Sequence, residues 1–304
     1  MKVFSIKTLG IGFVLANALY IAGYAADFDH DGKADLALYR RSTATWLTQT
    51  ADAESAFVAF RWGTSTDTPV PADYDGDGET DLASFQSEQG IWKIRSSLTG
   101  KVQEIVWGTF ALGLIPVPAD YDGDGKDDVA VWDPSDGSWQ ILPSASGMGI
   151  SCRILGKTGD IVVPGDYDGD RKTDLAVFRP SENRWLISRS SDDITIHIVF
   201  GDSATDKLVP ADYDGDGKTD IAVYREKTWF VLSSKTGKVE PFVFGFANAE
   251  PVPADYDGDG SADFAVYRKG TFYIYDSGVP RLHSHKIGLD GDVPLDTLTL
   301  RSKE

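Results

Sequence analysis

The sequence predicts an all-β protein, a six-bladed β-propeller of four-stranded antiparallel blades closed by pairing of its N- and C-terminal segments. Three observations predict it. An acidic pattern, Asp-x-Asp-x-Asp-Gly-x-x-Asp, begins near residues 27, 73, 120, 166, 212 and 255, at steps of 46, 47, 46, 46 and 43 residues. A fixed period of this size marks a repeat architecture built from one supersecondary unit. Each unit then holds four short runs of aromatic and β-branched residues between Gly and Asp turns, the cue for a propeller blade. Finally, the two ends complement each other. The first acidic loop lacks the Pro-containing strand that precedes every other loop, and the C-terminus carries such a piece, Gly291-Asp-Val-Pro-Leu295, with no loop after it. Val293 to Leu300 is therefore expected to supply the innermost strand of the first blade, which removes the open edges of an unclosed sheet.

The second unit shows the elements in order. Thr68-Pro-Val-Pro-Ala72 is extended, because Pro69 and Pro71 disfavour helix and suit a short bordering strand. Asp81 to Phe85 alternates after the loop, Ile91-Trp-Lys-Ile94 follows a polar turn, and Val102 to Trp107 alternates again before Gly108. No segment carries a sustained helical period. Third-strand aromatics recur at Trp46, Trp92, Trp139, Trp185, Trp229 and Phe272, and such position-matched rings are expected in the core between blades. The 43-residue step follows from a tighter turn, four residues from Arg225 to Trp229 where Arg179 to Trp185 spans six.

Residues 1–25 read as a signal peptide. Lys2 and Lys7 precede an apolar run from Leu9 to Ile21, and Gly23-Tyr24-Ala25 resembles a small-x-small cleavage site. Residues 26–304 then form a single propeller domain with no further apolar run long enough to span a bilayer. This implies a secreted or cell-surface product, the periplasm being a further possibility. A single cysteine, Cys152, excludes an internal disulfide framework; it sits in an alternating strand and is expected to pack as a small hydrophobe.

The formal charge of −18 argues against nucleic acid, whose phosphates are bound by Lys and Arg. It suits cations instead, because about half of the 47 acidic residues lie in the six loops. The candidate ligands are Asp27, Asp29, Asp31 and Asp35; Asp73, Asp75, Asp77 and Asp81; Asp120, Asp122, Asp124 and Asp128; Asp166, Asp168, Asp170 and Asp174; Asp212, Asp214, Asp216 and Asp220; and Asp255, Asp257, Asp259 and Asp263. Alternate residues of a tight turn aim their carboxylates at one centre, and calcium requires six to eight oxygens, so up to six Ca2+ are expected, one per repeat. The donors are all hard oxygens, which disfavours zinc, copper and iron. An EF-hand is excluded because no Glu stands at its twelfth position and a strand follows the loop. The first loop has His30 in place of a Gly, and the fourth has Arg171 where Gly is wanted. These two sites are expected to be weaker, the fourth most of all.

The run Asp212-Tyr-Asp-Gly-Asp-Gly-Lys-Thr-Asp220 followed by Ile-Ala-Val-Tyr224, with Phe-Gly at Phe200-Gly201 and Phe244-Gly245, resembles the FG-GAP or VCBS-type repeat. That repeat builds the integrin α-subunit N-terminal propeller and occurs in many secreted bacterial proteins and some fungal lectins. The resemblance covers residues 26 to 300. It implies a structural role for calcium and a ligand on the face opposite the ion ring.

On that opposite face Phe110, Leu112, Leu114 and Phe246 are candidates for a partner patch or for folding over the neighbouring blade. Trp132 and Asp133 replace the usual Tyr-Arg pair, as a core position or a sugar-stacking one. The four histidines, His30, His197, His283 and His285, form no recognisable nucleophile signature, so no catalytic residue is predicted. His283 and His285 share one strand face and are expected as surface decoration rather than a metal site. The functional expectation is a non-enzymatic binding or adhesion module for a glycan or an extracellular protein. The alternatives are an extracellular polysaccharide hydrolase or lyase, and a scaffold within a surface assembly.

Overall fold

Each repeat folds as a four-stranded antiparallel meander. A computed structural model of the chain describes residues 26–50, 57–108, 113–146 and 151–295. Blade two consists of Thr68–Pro69, Leu82–Gln86, Ile91–Arg95 and Val102–Val106, in that order across the sheet. Six such sheets are present, and only two short 3-10 turns, Arg41–Thr43 and Pro180–Glu182, occur among the described residues. In blade five the second strand, Ile221–Arg225, turns into Thr228–Leu232 through two residues, which accounts for the short repeat.

Closure occurs as the termini predict. Blade one takes Leu36–Arg40, Thr45–Gln49 and Val58–Arg61 from the N-terminal side and Val293–Pro294 from the C-terminal end. Val293 pairs with Tyr39 and Pro294 with Leu38, and the N–H of Leu295 donates to Ala37 at 2.9 Å. Residues 296–300 of the expected closing strand and the 1–25 segment lie outside the described residues.

The core lies between blades rather than within them. Six apolar clusters each join neighbouring blades, and one of them joins blade six to blade one through Leu36, Leu38, Phe272 and Ile274. The predicted third-strand rings sit at their centres, with Trp46, Trp92, Trp139, Trp185, Trp229 and Phe272 all fully buried. Four of these indoles donate Nε1–H to the first carbonyl past the outer strand: Trp46 to Trp62, Trp139 to Leu155, Trp185 to Phe200 and Trp229 to Phe244, at 3.0–3.3 Å. The glycine after that carbonyl is needed there. Gly156 has φ +101°, and a Cβ would press on Trp132 of its own blade and Val177 of the next. Truncating such a buried ring to Ala costs roughly 3–5 kcal/mol.

The packing corrects the expectations for Cys152 and the histidine pair, and decides the alternatives left open for Trp132 with Asp133 and for Leu114 and Phe246. Cys152 is exposed, because outer-strand residues face solvent rather than a further sheet. Trp132 is fully buried and donates to the Leu155 carbonyl, and Asp133 is buried too, so this pair belongs to the core and offers no sugar platform. Leu114 is buried against blade three, and Phe246 lies edge-on to Tyr273 beneath Arg268. Neither forms an exposed partner patch; Phe110 and Leu112 lie outside the described residues. His283 and His285 do more than decorate the surface, since His283 bonds the buried Asp276 carboxylate and His285 bonds His283.

Candidate metal centres on the loop face

Five acidic loops join the innermost strand to the second strand, the first leads into the second strand of blade one from the N-terminal side, and all six converge on one end of the ring. The loop is folded by its own carboxylates. In blade two, position 1 (Asp73) accepts the N–H of Gly76 at 2.6 Å on Oδ1 and that of Gly78 at 2.8 Å on Oδ2. These donors are presented by a backbone that turns left-handed at positions 4 and 6, with φ +80° at Gly76 and +87° at Gly78. His30 (φ +57°) and Arg171 (φ +68°) hold the same conformation with a side chain, the strain their sequence positions imply.

Position 9 is the anchor. Asp81 is fully buried; its Oδ2 accepts the Tyr74 N–H at 2.9 Å and its Oδ1 the Ser97 N–H at 2.7 Å. The same pair of bonds recurs at Asp128, Asp174, Asp220 and Asp263, with Ser144, Ser190, Ser234 and Ser277 as the distant donors. Position 9 therefore ties the acidic loop to the turn between the third and outer strands. Position 5 caps the end of the loop, as when Asp77 accepts the Glu79 N–H at 2.9 Å.

Position 3 is the least satisfied. Asp75 and Asp214 each accept a serine hydroxyl, from Ser96 and Ser233, on Oδ2 at 2.5 Å, while their Oδ1 atoms are buried with no hydrogen-bond partner. Carboxylates of positions 1, 3 and 9 bring one oxygen each to within 4.8 Å of one another in at least five loops: Asp27, Asp29 and Asp35; Asp73, Asp75 and Asp81; Asp120, Asp122 and Asp128; Asp166, Asp168 and Asp174; and Asp212, Asp214 and Asp220. The sequence pattern made positions 1, 3, 5 and 9 equivalent ligands. The fold groups three of them and sets position 5 beside the trio, where Ser97 Oγ bonds both Asp77 and Asp81.

Crowding acids out of water has an electrostatic consequence. Burial pushes Asp35 up to about 7 and Asp128, Asp174 and Asp263 up to about 6, with adjacent loop carboxylates adding to the shift. Asp81 and Asp220 are raised for the same first reason. An unpartnered buried oxygen, two neighbouring carboxylates and an all-oxygen donor set fit a hard divalent cation, which offsets both the repulsion and the lost solvation.

The loops also hold one another. The N–H of position 8 in each loop donates to the position-1 carbonyl of the preceding one: Thr80 to Asp27, Asp127 to Asp73, Thr173 to Asp120, Thr219 to Asp166, Ala262 to Asp212 and, closing the circle, Ala34 to Asp255, all at 2.6–2.8 Å. Position-2 tyrosines add a strut, as Tyr74 OH donates to the Val70 carbonyl at 2.8 Å, with the same bond at Tyr121, Tyr167, Tyr213 and Tyr256. On the other face, second-strand arginines clamp an aspartate from the preceding turn: Arg40 with Asp292, Arg179 with Asp160 and Arg225 with Asp206. Sequence reasoning missed these partners. The signals were a Ser 14 or 16 residues after position 9 and an Asp 19 residues before the second-strand Arg.

A closed ring of six four-stranded blades, each with an acidic loop at the same end, defines a repeat β-propeller. The family model of the FG-GAP-like repeat matches residues 27–84 and 166–223, and with the six-bladed architecture it supports an FG-GAP-repeat propeller. No curated protein matches it. Among solved structures it is similar to an Agrocybe aegerita lectin described as specifically recognising non-reducing terminal N-acetylglucosamine, with 15% identity over 92% of this chain and 81% of that one, at a TM-score of 0.57. It is also similar to BBS1N, solved in complex with ARL6DN, with 11% identity over 90% and 84% of the two chains and a TM-score of 0.52. AztD from Citrobacter koseri in its apo form gives 10% identity over 86% and 83%, at a TM-score of 0.51. At these identities the likeness concerns the fold alone. No helix among the described residues is long and apolar enough to cross a membrane.

Proposed function

We propose that the chain is an exported, calcium-loaded propeller that binds glycans without turning them over. One Ca2+ per acidic loop would be held by the carboxylates of positions 1, 3 and 9, with position 5 at its edge. Calcium would supply positive charge that draws the 1–2 loop and the turn after the third strand into one rigid unit. The protein groups do the rest: position 1 shapes the loop, position 9 ties it to the next turn, and the ring of backbone bonds couples each loop to its neighbour.

The observation that carries the glycan reading is a groove of 410 Å3 between blades one and two, beside the first acidic loop. Its wall combines the rings of Phe28 and Phe60 with Asp29, Gln49, Arg95 and Ser96. Apolar ring faces next to hydroxyl, amide, carboxylate and guanidinium groups suit a sugar, which has an apolar face and a polar rim. A second groove, of 290 Å3, lies between blades three and four, with Tyr121, Arg153 and Arg189 in its wall. Both open beside the ion loops, whereas the family resemblance implies a ligand on the opposite face. The Agrocybe aegerita lectin shows that this fold can serve a terminal N-acetylglucosamine. A glycan array probed with the calcium-saturated protein is expected to give a defined set of sugars, with binding lost in Arg95→Ala. Release of reducing ends from a polysaccharide panel would overturn the non-enzymatic reading. A blank array, together with capture of a protein ligand, would overturn the glycan one.

A further inference from the structure

Blade six departs from its relatives beside the acidic loop, and the departure brings two histidines together. Ser277 donates its N–H to Asp263 as Ser97 and Ser234 do to Asp81 and Asp220. The preceding residue, Asp276, therefore stands where Ser96 and Ser233 stand in blades two and five. Those serines donate to the position-3 carboxylate. Asp276 carries no hydroxyl to offer Asp257 in the way those serines serve Asp75 and Asp214. It is buried at 4% exposure and instead accepts from His283 Nε2 at 2.7 Å. His283 and His285 lie two apart on the outer strand Arg281–Lys286 and so share a face. His283 Nδ1 and His285 Nε2 are 2.9 Å apart, with the rings at 89°.

We propose that His283 Nδ1 and His285 Nε2 bind a borderline transition-metal cation of the zinc type at a site separate from the oxygen-only loops, with Asp276 as the carboxylate that orients His283. A bond from Nε2–H to Asp276 fixes the His283 tautomer and turns the Nδ1 lone pair toward His285. This is the outer-shell arrangement that metal-binding histidines commonly use. Two nitrogens on a tetrahedral zinc with bonds of 2.0–2.1 Å stand about 3.3 Å apart, so the pair needs to open by a few tenths of an ångström and the rings to turn until both lone pairs converge on the ion. Imidazole nitrogens select zinc, copper or nickel over calcium, which keeps this site chemically distinct from the six loops. His285 gives up its Nε2 proton to solvent or moves it to Nδ1 when the ion enters. Two protein donors leave the remaining positions to water or to a carboxylate or imidazole of a partner. Arg281, exposed on the same face, opposes the cation and weakens the site.

Zinc titrated into the calcium-saturated full-length protein, read by equilibrium dialysis with metal analysis, tests this. We expect one zinc ion per chain at micromolar affinity, undiminished by excess calcium and weakened at least tenfold in His285→Ala, with calcium content unchanged. His283→Gln is expected to abolish it. Cobalt in place of zinc gives a visible absorption band that responds to the same two variants, and the histidine ring nitrogen resonances of the unmodified protein shift on zinc addition. Zinc that excess calcium displaces, or that both variants retain, would place the ion in the acidic loops and overturn the proposal. Absence of saturable zinc binding in the unmodified protein would show that the Asp276–His283–His285 chain is a hydrogen-bonded relay only. The glycan reading stands or falls independently of either result.

Discussion

Asp75 and Asp81 occupy the same loop, yet their replacement by Asn is expected to fail in opposite ways. Asp81 is fully buried and accepts two backbone N–H groups plus the Ser97 hydroxyl. Asparagine turns one accepting oxygen into an NH2 that faces a donor. It removes at least one charge-assisted hydrogen bond and leaves a buried N–H unpaired, a loss of about 2–3 kcal/mol. A domain of this size shifts its Tm by roughly 2–4 °C per kcal/mol, so Asp81→Asn should melt about 4–12 °C lower in both EDTA and calcium. Asp75 presents the reverse situation, because its Oδ1 is buried with no partner and its Oδ2 holds Ser96. An Asn there keeps the Ser96 bond, removes a repelling charge and places NH2 near two carboxylates. In EDTA, Asp75→Asn should change stability by less than about 0.5 kcal/mol, or raise it. In calcium it loses a ligand, and each tenfold fall in affinity withdraws about 1.4 kcal/mol of stabilisation. Paired thermal melts of the two variants with and without calcium decide the matter. If Asp75→Asn costs the same in EDTA as in calcium, the trio of positions 1, 3 and 9 is not a cation site. If Asp81→Asn leaves the EDTA melt unchanged, the anchor role assigned to position 9 is wrong.

Three further outcomes follow from the same geometry. The apo and calcium-loaded proteins should respond to pH with opposite slopes. Position-9 carboxyls raised to about 6–7 in the fold bind more protons than the unfolded chain does above its ordinary value near 4, so apo stability is highest below that value and is lost as pH rises toward 7. Calcium binds only the ionised form, so the loaded protein should instead weaken on acidification; parallel slopes in EDTA and calcium melts would contradict this. Arg171→Gly relieves a side chain held at φ +68° while keeping the backbone bond from position 6 to Asp166. It should raise stability by about 1 kcal/mol and tighten the fourth calcium site, and a calorimetric titration showing a weaker site would refute this. Asp160→Ala leaves Arg179 without its two-bond partner and the Lys157 N–H without its acceptor. A loss of about 2–4 kcal/mol is expected in urea melts, and an unchanged midpoint would remove the clamp from the account.

Much of this architecture can be read from the letters alone, for a definite reason. The strand pattern has a period of two and the blade a period near 46, and both are visible because one supersecondary unit recurs with its turn chemistry intact. Closure was legible in the same way, since the Val293-Pro294 piece matches no loop of its own. The exposed Cys152 was misjudged because alternation reports pleating and not which strand lies at the edge of a sheet. Trp132, on a strand, and Leu114, on a turn, were left ambiguous because their burial depends on the shape of the neighbouring blade.

The sequence by itself determined the number of blades, their strand order, the ring closure and the two dozen loop aspartates, because each is a local pattern repeated along the chain. Only the tertiary structure decided how those aspartates divide their labour. The direction of a lone pair depends on donors such as Ser97, 16 residues away, and on the neighbouring blade across the ring. It also placed Asp276 beside His283, a meeting across two strands that has no repeat to announce it. Hydrogen-bond direction and burial are properties of three-dimensional neighbours, and a linear pattern carries them only where evolution has copied the whole neighbourhood six times.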